Sequence, residues 1–293
     1  MDWFSGFEPI CQTDVPLAEL TWYRLGGPAR WLLTPRDEEE LAAVLRRCHK
    51  HGIYCRVLGR GANLLVRDTG FDGAVIVLSH VFWEHVDFEP PLVHARAGVD
   101  LPRLVRSTLD RGLLGLEGLA GIPGTVGGAT RMNAGGRHGS LADHLRAVRL
   151  AQSDGTLVTR PAAELAFGYR ASGLGDAVVV QITLELQPGD REPAMERFRA
   201  IWNEKYSTQP PVAARSAGCI FKNPPGHAAG RLLDEAGLKG QRHGGAEISS
   251  RHANFIIAHP GATSQDVLDL IALAKERVHR ATGIELELEV EVW

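Results

Sequence analysis

Glycine-rich segments are the parts of this chain best suited to bind a ligand through the backbone. Residues 118–136, GLAGIPGTVGGATRMNAGG, contain seven glycines and no Lys, Asp or Glu, and two more glycines lie in VLGRGANLLV at residues 57–66. Glycine lets peptide N–H groups approach phosphate oxygens closely and adopt positive φ angles. Both segments therefore indicate a phosphate or nucleotide site, although the same glycines would also suit tight turns or close packing of strands.

The common nucleotide-binding motifs do not fit these segments. After Gly59 and Gly61 the third glycine of a dinucleotide fingerprint is missing, and the strand-like LLV follows where a helix should begin. No GK[ST] sequence occurs in the chain, which excludes a P-loop. In the longer segment Pro123 fixes one φ angle, and Thr125 and Asn133 add polar side chains. Phosphate binding by these segments would require another backbone geometry.

Composition narrows the classes of function. With 293 residues, 44% of them hydrophobic, the chain is long enough for one large core or for two or three domains. The formal net charge is -3 and no long Lys/Arg block occurs, which argues against nucleic acid as a partner. A smaller anionic ligand remains compatible with this composition.

Cysteine spacing and the N-terminal residues indicate in which cellular compartment the protein is expected. The four cysteines show no CxxC or Cys/His finger spacing, so neither a disulfide framework nor a structural zinc site is expected, and no other set of metal ligands is evident. The first ten residues lack the basic and apolar regions of an export signal, and no apolar stretch approaches about 18 residues. We therefore expect a cytoplasmic protein that does not bind a membrane.

Hydrophobic periodicity and end signals predict the main elements. Helices are predicted over residues 35–52, 99–115, 192–205 and 263–283, and strands over residues 53–59, 73–80, 176–190 and 285–293. The first helix has acidic residues in its first turn and Gly52 as its stop, and the last begins with a capping-box pattern and ends at Gly283. The proline-rich residues 207–218 form the best candidate for a domain boundary.

Eight motifs, in order, resemble the bacterial UDP-N-acetylenolpyruvoylglucosamine reductases. They are YRLGGPARW, VLGRGANLLV, GLAGIPGTVGGATRMNAGG, FGYRAS, SAGCIFKNP, AGLKG, GGAEISSRHANFI and LELEV. The resemblance implies an α+β chain with the FAD-binding fold of the vanillyl-alcohol oxidases (PCMH type), in which two α/β subdomains hold FAD and a C-terminal α+β domain binds the substrate. We place the subdomains at residues 1–80, joined by the C-terminal strand, and 81–190, and the substrate-binding domain at residues 205–293.

The resemblance also implies that the two glycine-rich segments bind FAD without a covalent link, mainly through backbone amides. The expected FAD-binding residues are Leu58, Gly59, Arg60, Gly61, Ala62, Asn63, Leu64, Gly121, Ile122, Pro123, Gly124, Thr125, Gly127, Gly128, Asn133 and Ala134. Neither segment contains a His or Cys of the kind that carries covalent flavin in some related oxidases.

The reaction of the family begins with reduction of FAD by NADPH. The flavin then passes a hydride to UDP-N-acetylglucosamine enolpyruvate, and protonation of the resulting enol gives UDP-N-acetylmuramate, a precursor of cell wall peptidoglycan. Such a reaction requires a fixed cation near the developing negative charge, an acid, and exclusion of water.

Three residues match catalytic positions of the family. Arg170 in FGYRAS corresponds to the arginine whose guanidinium would hold the substrate carboxylate. Cys219 in SAGCIFKNP stands where many members have the serine that protonates the enol, and a thiol, with an ordinary pKa of roughly 8.5, is the stronger acid. Glu289 in LELEV corresponds to an acid/base partner, while the three other glutamates of residues 285–291 are expected on a solvated face. Outside its motif, Cys219 would be interpreted as a small buried hydrophobic residue.

Six further residues are candidate substrate contacts: Tyr169, Lys222, Asn223, Lys239, His252 and Asn254. Lysines are scarce in this chain, so two of them within motifs are plausible contacts to the substrate phosphates, although each would also suit a surface charge. His252 and Asn254 would equally suit a hydrogen-bonded structural pair at the start of a strand. Tyr169 would fit either the flavin face or an ordinary core.

The chain resembles the shorter variety of the family, because residues between Arg170 and Cys219 are too few for the insertion that covers the substrate in some members. No heptad or exposed apolar strand pattern occurs, so a monomer is expected. Two other functions remain open: another FAD-dependent oxidase or dehydrogenase of the same superfamily, and a non-catalytic nucleotide-binding module. The visible spectrum and NADPH consumption with and without the sugar nucleotide would distinguish these functions.

Overall fold

The computed structural model describes residues 3–293 and has six α-helices among them. They are α1 (Glu38–His51), α2 (Leu101–Leu109), α3 (Val126–Arg131), α4 (Arg191–Thr208), α5 (Ala229–Glu235) and α6 (Ser264–Thr282). The predicted helices over residues 35–52, 192–205 and 263–283 correspond to α1, α4 and α6 and are confirmed. The helix predicted over residues 99–115 corresponds to α2 but is shorter: it ends at Leu109, and Leu113–Leu114 pair as a strand instead. Helices α3 and α5 are missing from the prediction, because both are short and contain glycine, which lowers helix propensity.

Local capping explains why the predicted C-terminal ends of α1 and α6 agree with the structure. Asp37 caps the first turn of α1, and Gly52 ends that helix in a left-handed conformation with a φ angle of 63°. In α6, Thr263 and Asp266 form a capping box, and Gly283 ends the helix with a φ angle of 75°. These signals depend on residues three or four positions apart, so the sequence displays them directly.

In the described part of the chain, residues 3–293, the strands form six sheets. In chain order they begin with β1 (Cys11–Pro16), β2 (Pro28–Leu33), β3 (Cys55–Leu58), β4 (Leu64–Leu65), β5 (Phe71–Val77), β6 (Val86–Glu89), β7 (Leu92–Arg96), β8 (Leu113–Leu114) and β9 (Gly135–Gly136). They continue with β10 (Gly139–Ser140), β11 (Leu145–Ala151), β12 (Leu157–Pro161), β13 (Val178–Glu185), β14 (Gln187–Pro188), β15 (Arg242–His243), β16 (Ala246–Ile248), β17 (Ile256–Ala258) and β18 (Glu291–Val292).

Helices and mixed sheets together confirm the predicted α+β class. A four-stranded sheet has the order β1-β2-β5-β3, with β3 parallel to β5. A five-stranded antiparallel sheet has the order β12-β11-β13-β7-β6, and α3 packs against its strands β13 and β7. A three-stranded sheet, β15-β16-β17, lies in the C-terminal part of the chain, and the remaining strands pair as β9 with β10, β8 with β14 and β4 with β18. The glycine-rich segment is thereby placed against the five-stranded sheet.

The last strand is shorter than predicted. The alternating residues 285–293 are regular strand only at Glu291–Val292, which pairs in parallel with β4. The preceding residues make an isolated bridge, between Leu288 and Phe221, because their hydrogen bonds go to an irregular segment rather than to a strand. The alternating residues 285–293 therefore predict a longer strand than the one that pairs with β4.

The chain divides into two compact units. The first unit comprises the chain up to Thr13, Trp31–Arg60 and Gly73–Lys205, and the second unit comprises Asp14–Arg30, Gly61–Asp72 and Tyr206–Trp293. This division differs from the predicted domain boundaries, which assign all of residues 1–80 to one subdomain. In the second unit, β4 pairs with β18 and the amide of Ser264 donates a hydrogen bond of 3.1 Å to Asp68, so residues 61–72 pack with C-terminal residues.

Each unit has its own hydrophobic core. In the first unit the core includes Leu41, Val93 and Ile182, and in the second unit it includes Phe221 and Leu270, all at most 2% exposed. Among residues 3–293, none of the helices is both long and apolar enough to cross a membrane.

Candidate active site

The glycine-rich segment 118–136 contains the whole of α3. Thr125 is the N-cap, and its Oγ1 accepts a hydrogen bond of 3.2 Å from the amide of Gly128. Gly59 follows β3 and approaches the same hydroxyl so closely that a Cβ at residue 59 would lie 2.7 Å from it. Within the first unit, the two segments predicted to bind FAD therefore meet at Gly59 and Thr125, where no further side chain fits.

The glycines of this segment have two different roles. Gly127 packs inward: a Cβ there would lie 3.0 Å from the Cβ of Ala97, and its amide donates a hydrogen bond of 2.8 Å to the Ala97 carbonyl. Gly128 is exposed, and a Cβ there would meet only one side-chain oxygen, at 3.5 Å. Around a Cβ placed on Gly124, no heavy atom beyond its chain neighbours lies within 4 Å. Close packing therefore explains Gly127, whereas at Gly124 and Gly128 the space that a side chain would fill is open.

Arg170 lies in a tight turn of the first unit. The backbones of Gly168 and Ala171 exchange two hydrogen bonds, of 2.9 and 3.2 Å, so Tyr169 and Arg170 occupy the central positions. The φ angle of Arg170 is 55°, a left-handed conformation that costs a residue with a Cβ about 1–2 kcal/mol. Its Nη1 donates a hydrogen bond of 2.9 Å to the carbonyl of Gly135, in the glycine-rich segment. Tyr169 is 54% exposed, and its ring centroid lies 5.1 Å from the guanidinium carbon.

Asn133 connects the same turn to the glycine-rich segment. Its Nδ2 donates a hydrogen bond of 2.9 Å to the carbonyl of Gly168, and its Oδ1 accepts one of 3.1 Å from the amide of Ala142. Asn133 is buried and has a φ angle of 42°. Both polar atoms of its side chain are engaged by the protein, so its part in a ligand site is to shape the segment.

Arg131 is a residue of the glycine-rich segment whose structural role the sequence interpretation misses. It is the one charged residue of segment 118–136, and its two Nη atoms donate hydrogen bonds to the carbonyls of Gly175 and Ala177. These bonds connect the end of α3 to the residues that precede β13. A single charged residue in an otherwise uncharged segment could have been singled out from the sequence. Its hydrogen-bond partners could not, because they lie more than 40 residues away in the chain.

The other segment predicted to bind FAD is divided between the two units after Arg60. In the first unit, Arg60 forms an ion pair of 3.1 Å with Asp100. In the second unit, Gly61 is buried with a φ angle of 63°, and a Cβ there would lie 2.4 Å from the carbonyl oxygen of Leu20. A side chain at residue 61 would thus disrupt local packing.

The remaining residues predicted to bind FAD differ in exposure. Leu58, Leu64 and Ala134 are buried, whereas Ala62, Asn63, Gly121, Ile122 and Pro123 are half-buried. The side chain of Asn63 donates a hydrogen bond of 3.0 Å to the carbonyl of Glu289. Asn63 therefore connects this segment to the predicted acid/base residue within the second unit.

Cys219 and Glu289 lie on adjacent segments of the second unit. The carbonyl of Ile220, next to Cys219, accepts hydrogen bonds from the amides of Glu289 and Val290, at 2.8 and 3.3 Å. Both Cys219 and Glu289 are half-buried, whereas the other glutamates of residues 285–291 are exposed. Burial thus distinguishes Glu289 from its neighbours on the predicted solvated face.

Asn254 does not fit the predicted role of a substrate contact. It is 3% exposed, its Oδ1 accepts a hydrogen bond of 2.9 Å from the amide of Phe221, and its Nδ2 donates one of 2.8 Å to the carbonyl of Phe221. Its own amide donates a hydrogen bond of 3.2 Å to Nδ1 of His252. The structure therefore favours the alternative, a hydrogen-bonded pair before a strand.

His252 and Lys239, both predicted to contact the substrate, lie near each other in the second unit. Burial lowers the pKa of His252, and the positive charge of Lys239 lowers it further, while a backbone hydrogen bond has the opposite effect. The ammonium group of Lys239 pairs with Asp234 at 2.6 Å. A half-buried neutral imidazole beside an exposed cation suits a polar or anionic ligand.

Lys222 and Asn223 follow the Cys219 segment. Lys222 is half-buried and lies 3.4 Å from the exposed carboxylate of Glu287. Asn223 is exposed, and its Oδ1 accepts a hydrogen bond of 2.9 Å from the amide of Ala229 at the start of α5. Both residues retain exposed surface next to the segment of Cys219.

Known proteins resemble this chain in sequence. The C-terminal domain of UDP-N-acetylenolpyruvoylglucosamine reductase matches residues 209–293, and an FAD binding domain matches residues 29–160. A UDP-N-acetylenolpyruvoylglucosamine reductase from Moorella thermoacetica is 45% identical over 290 residues, which are 99% of this chain and 95% of that protein. The corresponding protein of Anaeromyxobacter sp. (strain Fw109-5) is 44% identical over 95% of this chain and 87% of its own.

Solved structures agree with the sequence comparison. The crystal structure of UDP-N-acetylenolpyruvylglucosamine reductase from Thermus caldophilus superposes with a TM-score of 0.83 and 41% identity, over 97% of this chain and 98% of that one. The glucose dehydrogenase Phl p 4.0202 shares the fold at a TM-score of 0.53 and 17% identity, over 65% of this chain and 45% of its own. With the motifs in order, the FAD-binding fold and relatives of this similarity, the chain belongs to the UDP-N-acetylenolpyruvoylglucosamine reductase family.

Proposed function

We propose that this chain performs the reaction of its family through Arg170, Cys219 and Glu289. The reaction is the FAD-dependent reduction of UDP-N-acetylglucosamine enolpyruvate to UDP-N-acetylmuramate in peptidoglycan synthesis, with NADPH as the reductant. When bound, FAD supplies the hydride that the enolpyruvyl group accepts. The observation that supports the proposal is the backbone hydrogen bond from the amide of Glu289 to the carbonyl of Ile220, the residue after Cys219. A thiol and a carboxylate on adjacent segments would suit proton transfer, which a simple nucleotide-binding module would not need.

The glycine-rich segments fit FAD. Gly59 approaches Thr125 so closely that a Cβ would not fit between them, and a Cβ on Gly124 or Gly128 would meet at most one heavy atom within 4 Å. Without side chains at these positions, pyrophosphate oxygens could approach the backbone closely, as binding by several peptide N–H groups requires. Neither segment contains a His or Cys, which supports non-covalent binding.

Arg170 would hold the carboxylate of the substrate. Its guanidinium is planar and charged at any working pH, so it would form two parallel hydrogen bonds with a carboxylate. The bond from Nη1 to Gly135 and the left-handed backbone at Arg170 fix the direction of the side chain before substrate arrives. A positive charge positioned in advance stabilises negative charge that develops on the carboxylate in the transition state.

Cys219 would donate the proton that completes the reduction. Its Sγ proton passes to the carbon next to the carboxylate, and the thiolate left behind recovers a proton that Glu289 takes up from solvent and passes on. Both side chains are half-buried, which limits access of water to the acid. A thiol is a stronger acid than a serine hydroxyl, so Cys219 can donate this proton in place of the serine that many members of the family have.

The rest of the sugar nucleotide would be bound by polar residues of the second unit. We assign the diphosphate and uridine to Lys222, Asn223, Lys239 and His252, supported by their exposed surface and by the cations among them. Tyr169, exposed beside Arg170, would contact the substrate near its carboxylate. The proposed enzyme is a monomer, which sedimentation of the purified protein would test.

Separate measurement of the two half-reactions tests the proposal. Cys219→Ala and Cys219→Ser are loaded with FAD, and rapid mixing follows flavin reduction by NADPH and flavin reoxidation by UDP-N-acetylglucosamine enolpyruvate. We expect both variants to be reduced at the wild-type rate, and Cys219→Ala to be reoxidised at least 100-fold more slowly while Cys219→Ser keeps measurable turnover. Undiminished reoxidation of Cys219→Ala would remove Cys219 from the mechanism.

A further inference from the structure

A single asparagine holds the residues that follow Cys219. Asn254 satisfies three backbone groups there: its Oδ1 accepts from the amide of Phe221 at 2.9 Å, its Nδ2 donates to the carbonyl of Phe221 at 2.8 Å, and its own carbonyl accepts from the amide of Ile220 at 2.8 Å. Asn254 is 3% exposed and thus has little surface for a ligand. All these contacts lie within the second unit.

The same residues face Glu289 on their other side. The carbonyl of Ile220 accepts the hydrogen bond of 2.8 Å from the amide of Glu289, while the amide of Ile220 donates to Asn254. Ile220 is therefore held from both sides, between Asn254 and Glu289. Because Cys219 is the residue before Ile220, the position of its thiol relative to Glu289 depends on this arrangement.

The amide side chain is the chemical type that this arrangement requires. A carboxamide presents a donor and an acceptor in one plane, as a neighbouring strand would, and so satisfies both the N–H and the C=O of one residue. A methyl group would leave both groups of Phe221 buried without a partner, and the segment would have to move to satisfy them.

We propose that Asn254 is a positioning residue for proton transfer, which orients the segment of Cys219 toward Glu289. This inference rests on the proposed role of Cys219 as the acid. It assigns to Asn254 a function in the second half-reaction only, because flavin reduction by NADPH needs no proton from Cys219. A purely structural role would not distinguish the two half-reactions.

The first experiment compares Asn254→Ala with a matched control in the full-length, FAD-loaded protein. The control is Ser264→Ala, because Ser264 is 2% exposed, lies in the same unit, and uses its Oγ to accept a hydrogen bond of 2.9 Å from the amide of Asp68. We expect Asn254→Ala to slow flavin reoxidation by the sugar nucleotide at least 10-fold and to leave reduction by NADPH within twofold. Ser264→Ala should leave both rates within twofold, and an equal loss of both rates in Asn254→Ala would overturn the proposal.

A double variant tests whether Asn254 acts through Cys219. If it does, Asn254→Ala in the Cys219→Ala background should slow reoxidation by less than twofold more, because the positioned group is already absent. If the double variant is slowed by the product of the two single-variant effects on reoxidation, the proposal is wrong. If Cys219→Ala alone is reoxidised normally, the acid assignment fails; if Cys219→Ala is slow and Asn254→Ala is normal, only the positioning role fails.

Labelling of the thiol gives a readout independent of turnover. The folded protein is treated with iodoacetamide, and mass spectrometry of its peptides distinguishes Cys219 from Cys11, Cys48 and Cys55. We expect Asn254→Ala to change the labelling rate of Cys219 at least threefold, and Ser264→Ala to leave it unchanged. If Asn254→Ala folds poorly, Asn254→Asp, which has the same shape and retains the acceptor for the Phe221 amide, replaces it; an unchanged rate in the folded variant would contradict the proposal.

Discussion

The side chains of Asn133 and Arg170 connect the same two segments in opposite directions. Asn133, in the glycine-rich segment, donates a hydrogen bond of 2.9 Å to the carbonyl of Gly168, and Arg170, in the turn of Gly168, donates one of 2.9 Å to the carbonyl of Gly135. Both residues have left-handed backbones, with φ angles of 42° and 55°. The direction of the guanidinium and the shape of the glycine-rich segment therefore depend on each other.

Replacement of Arg170 by glycine should separate activity from stability. Glycine relieves the left-handed backbone at residue 170 by about 1–2 kcal/mol, which offsets loss of the hydrogen bond to Gly135, worth about 1 kcal/mol. We expect the free energy of unfolding in denaturant to stay within about 1 kcal/mol of wild type, and kcat/KM to fall on the order of 100-fold or more.

The control for Arg170→Gly is Asp14→Gly. Asp14 is exposed and has a φ angle of 53°, so it shares the backbone conformation without a proposed role in the reaction. It should gain stability and keep wild-type kcat/KM. If Arg170→Gly also kept wild-type kcat/KM, Arg170 would not be the carboxylate-binding residue.

Leucine at Gly128 should weaken FAD binding while the fold remains intact. Gly128 is exposed and its Cβ position meets only the Thr125 hydroxyl, at 3.5 Å, so the added side chain would extend over the surface proposed for FAD. We expect the dissociation constant for FAD, from titration of the apoprotein by flavin fluorescence, to rise at least 10-fold (about 1.4 kcal/mol).

Leucine at Gly127 should act differently. Its Cβ would lie 3.0 Å from the Cβ of Ala97, so we expect a lower melting temperature of the apoprotein itself. A Gly128→Leu apoprotein should melt near the wild-type temperature. Equal FAD affinity of Gly128→Leu and wild type would show that the cofactor does not cover this surface.

Neutralisation of Glu289 should slow steady turnover. Glu289→Gln removes the group proposed to return a proton to the Cys219 thiolate after each reduction, so we expect NADPH consumption in the presence of the sugar nucleotide to slow by about 100-fold. Glu291→Gln is the matched control, because Glu291 is exposed on the same segment. Similar rates for the two variants, measured by NADPH consumption, would contradict the special role of Glu289.

Acid should destabilise the protein through His252. Burial lowers the pKa of His252 below its ordinary value of 6.5, so between the lowered pKa and 6.5 the unfolded chain binds more protons than the folded one. The free energy of unfolding therefore rises with pH in this window: the contribution of neutral His252 is complete above pH 6.5 and is lost as the pH falls through and below that value.

Unfolding by urea at a series of pH values from 5 to 8 measures this effect. The stability difference between wild type and His252→Asn should shrink as the pH falls, because the variant lacks the titrating group. His227→Asn serves as a control, since His227 is exposed. A difference between wild type and His252→Asn that stays constant with pH would rule out this source of acid sensitivity.

Local patterns in the sequence predict the helices and the family. The ends of α1 and α6 depend on Asp37, Gly52, Thr263 and Gly283, whose partners are near in the chain, so capping rules suffice to place them. The motifs that contain Arg170 and Cys219 are contiguous, and their order alone identifies the family. Short helices and two-residue strands escape the prediction, because tertiary contacts rather than propensity stabilise them.

The roles of individual residues within motifs require the tertiary structure. The sequence gives no reason to distinguish Gly127 from Gly128, yet in the structure only Gly127 packs against Ala97. Asn254 has a polar side chain that could contact a ligand, but that side chain forms its hydrogen bonds with Phe221, 33 residues away. The carbonyl of Glu289 accepts a hydrogen bond from Asn63, 226 residues away.

The sequence by itself thus determined the family and the glycine-rich segments, and it supplied Cys219 and Arg170 as candidates for the acid and the carboxylate-binding residue. Only the tertiary structure decided which polar side chains form hydrogen bonds with backbone groups of the protein and which remain exposed to a ligand. The physical reason is that a buried N–H or C=O must find a partner wherever the fold provides one, and residues distant in the chain supply it.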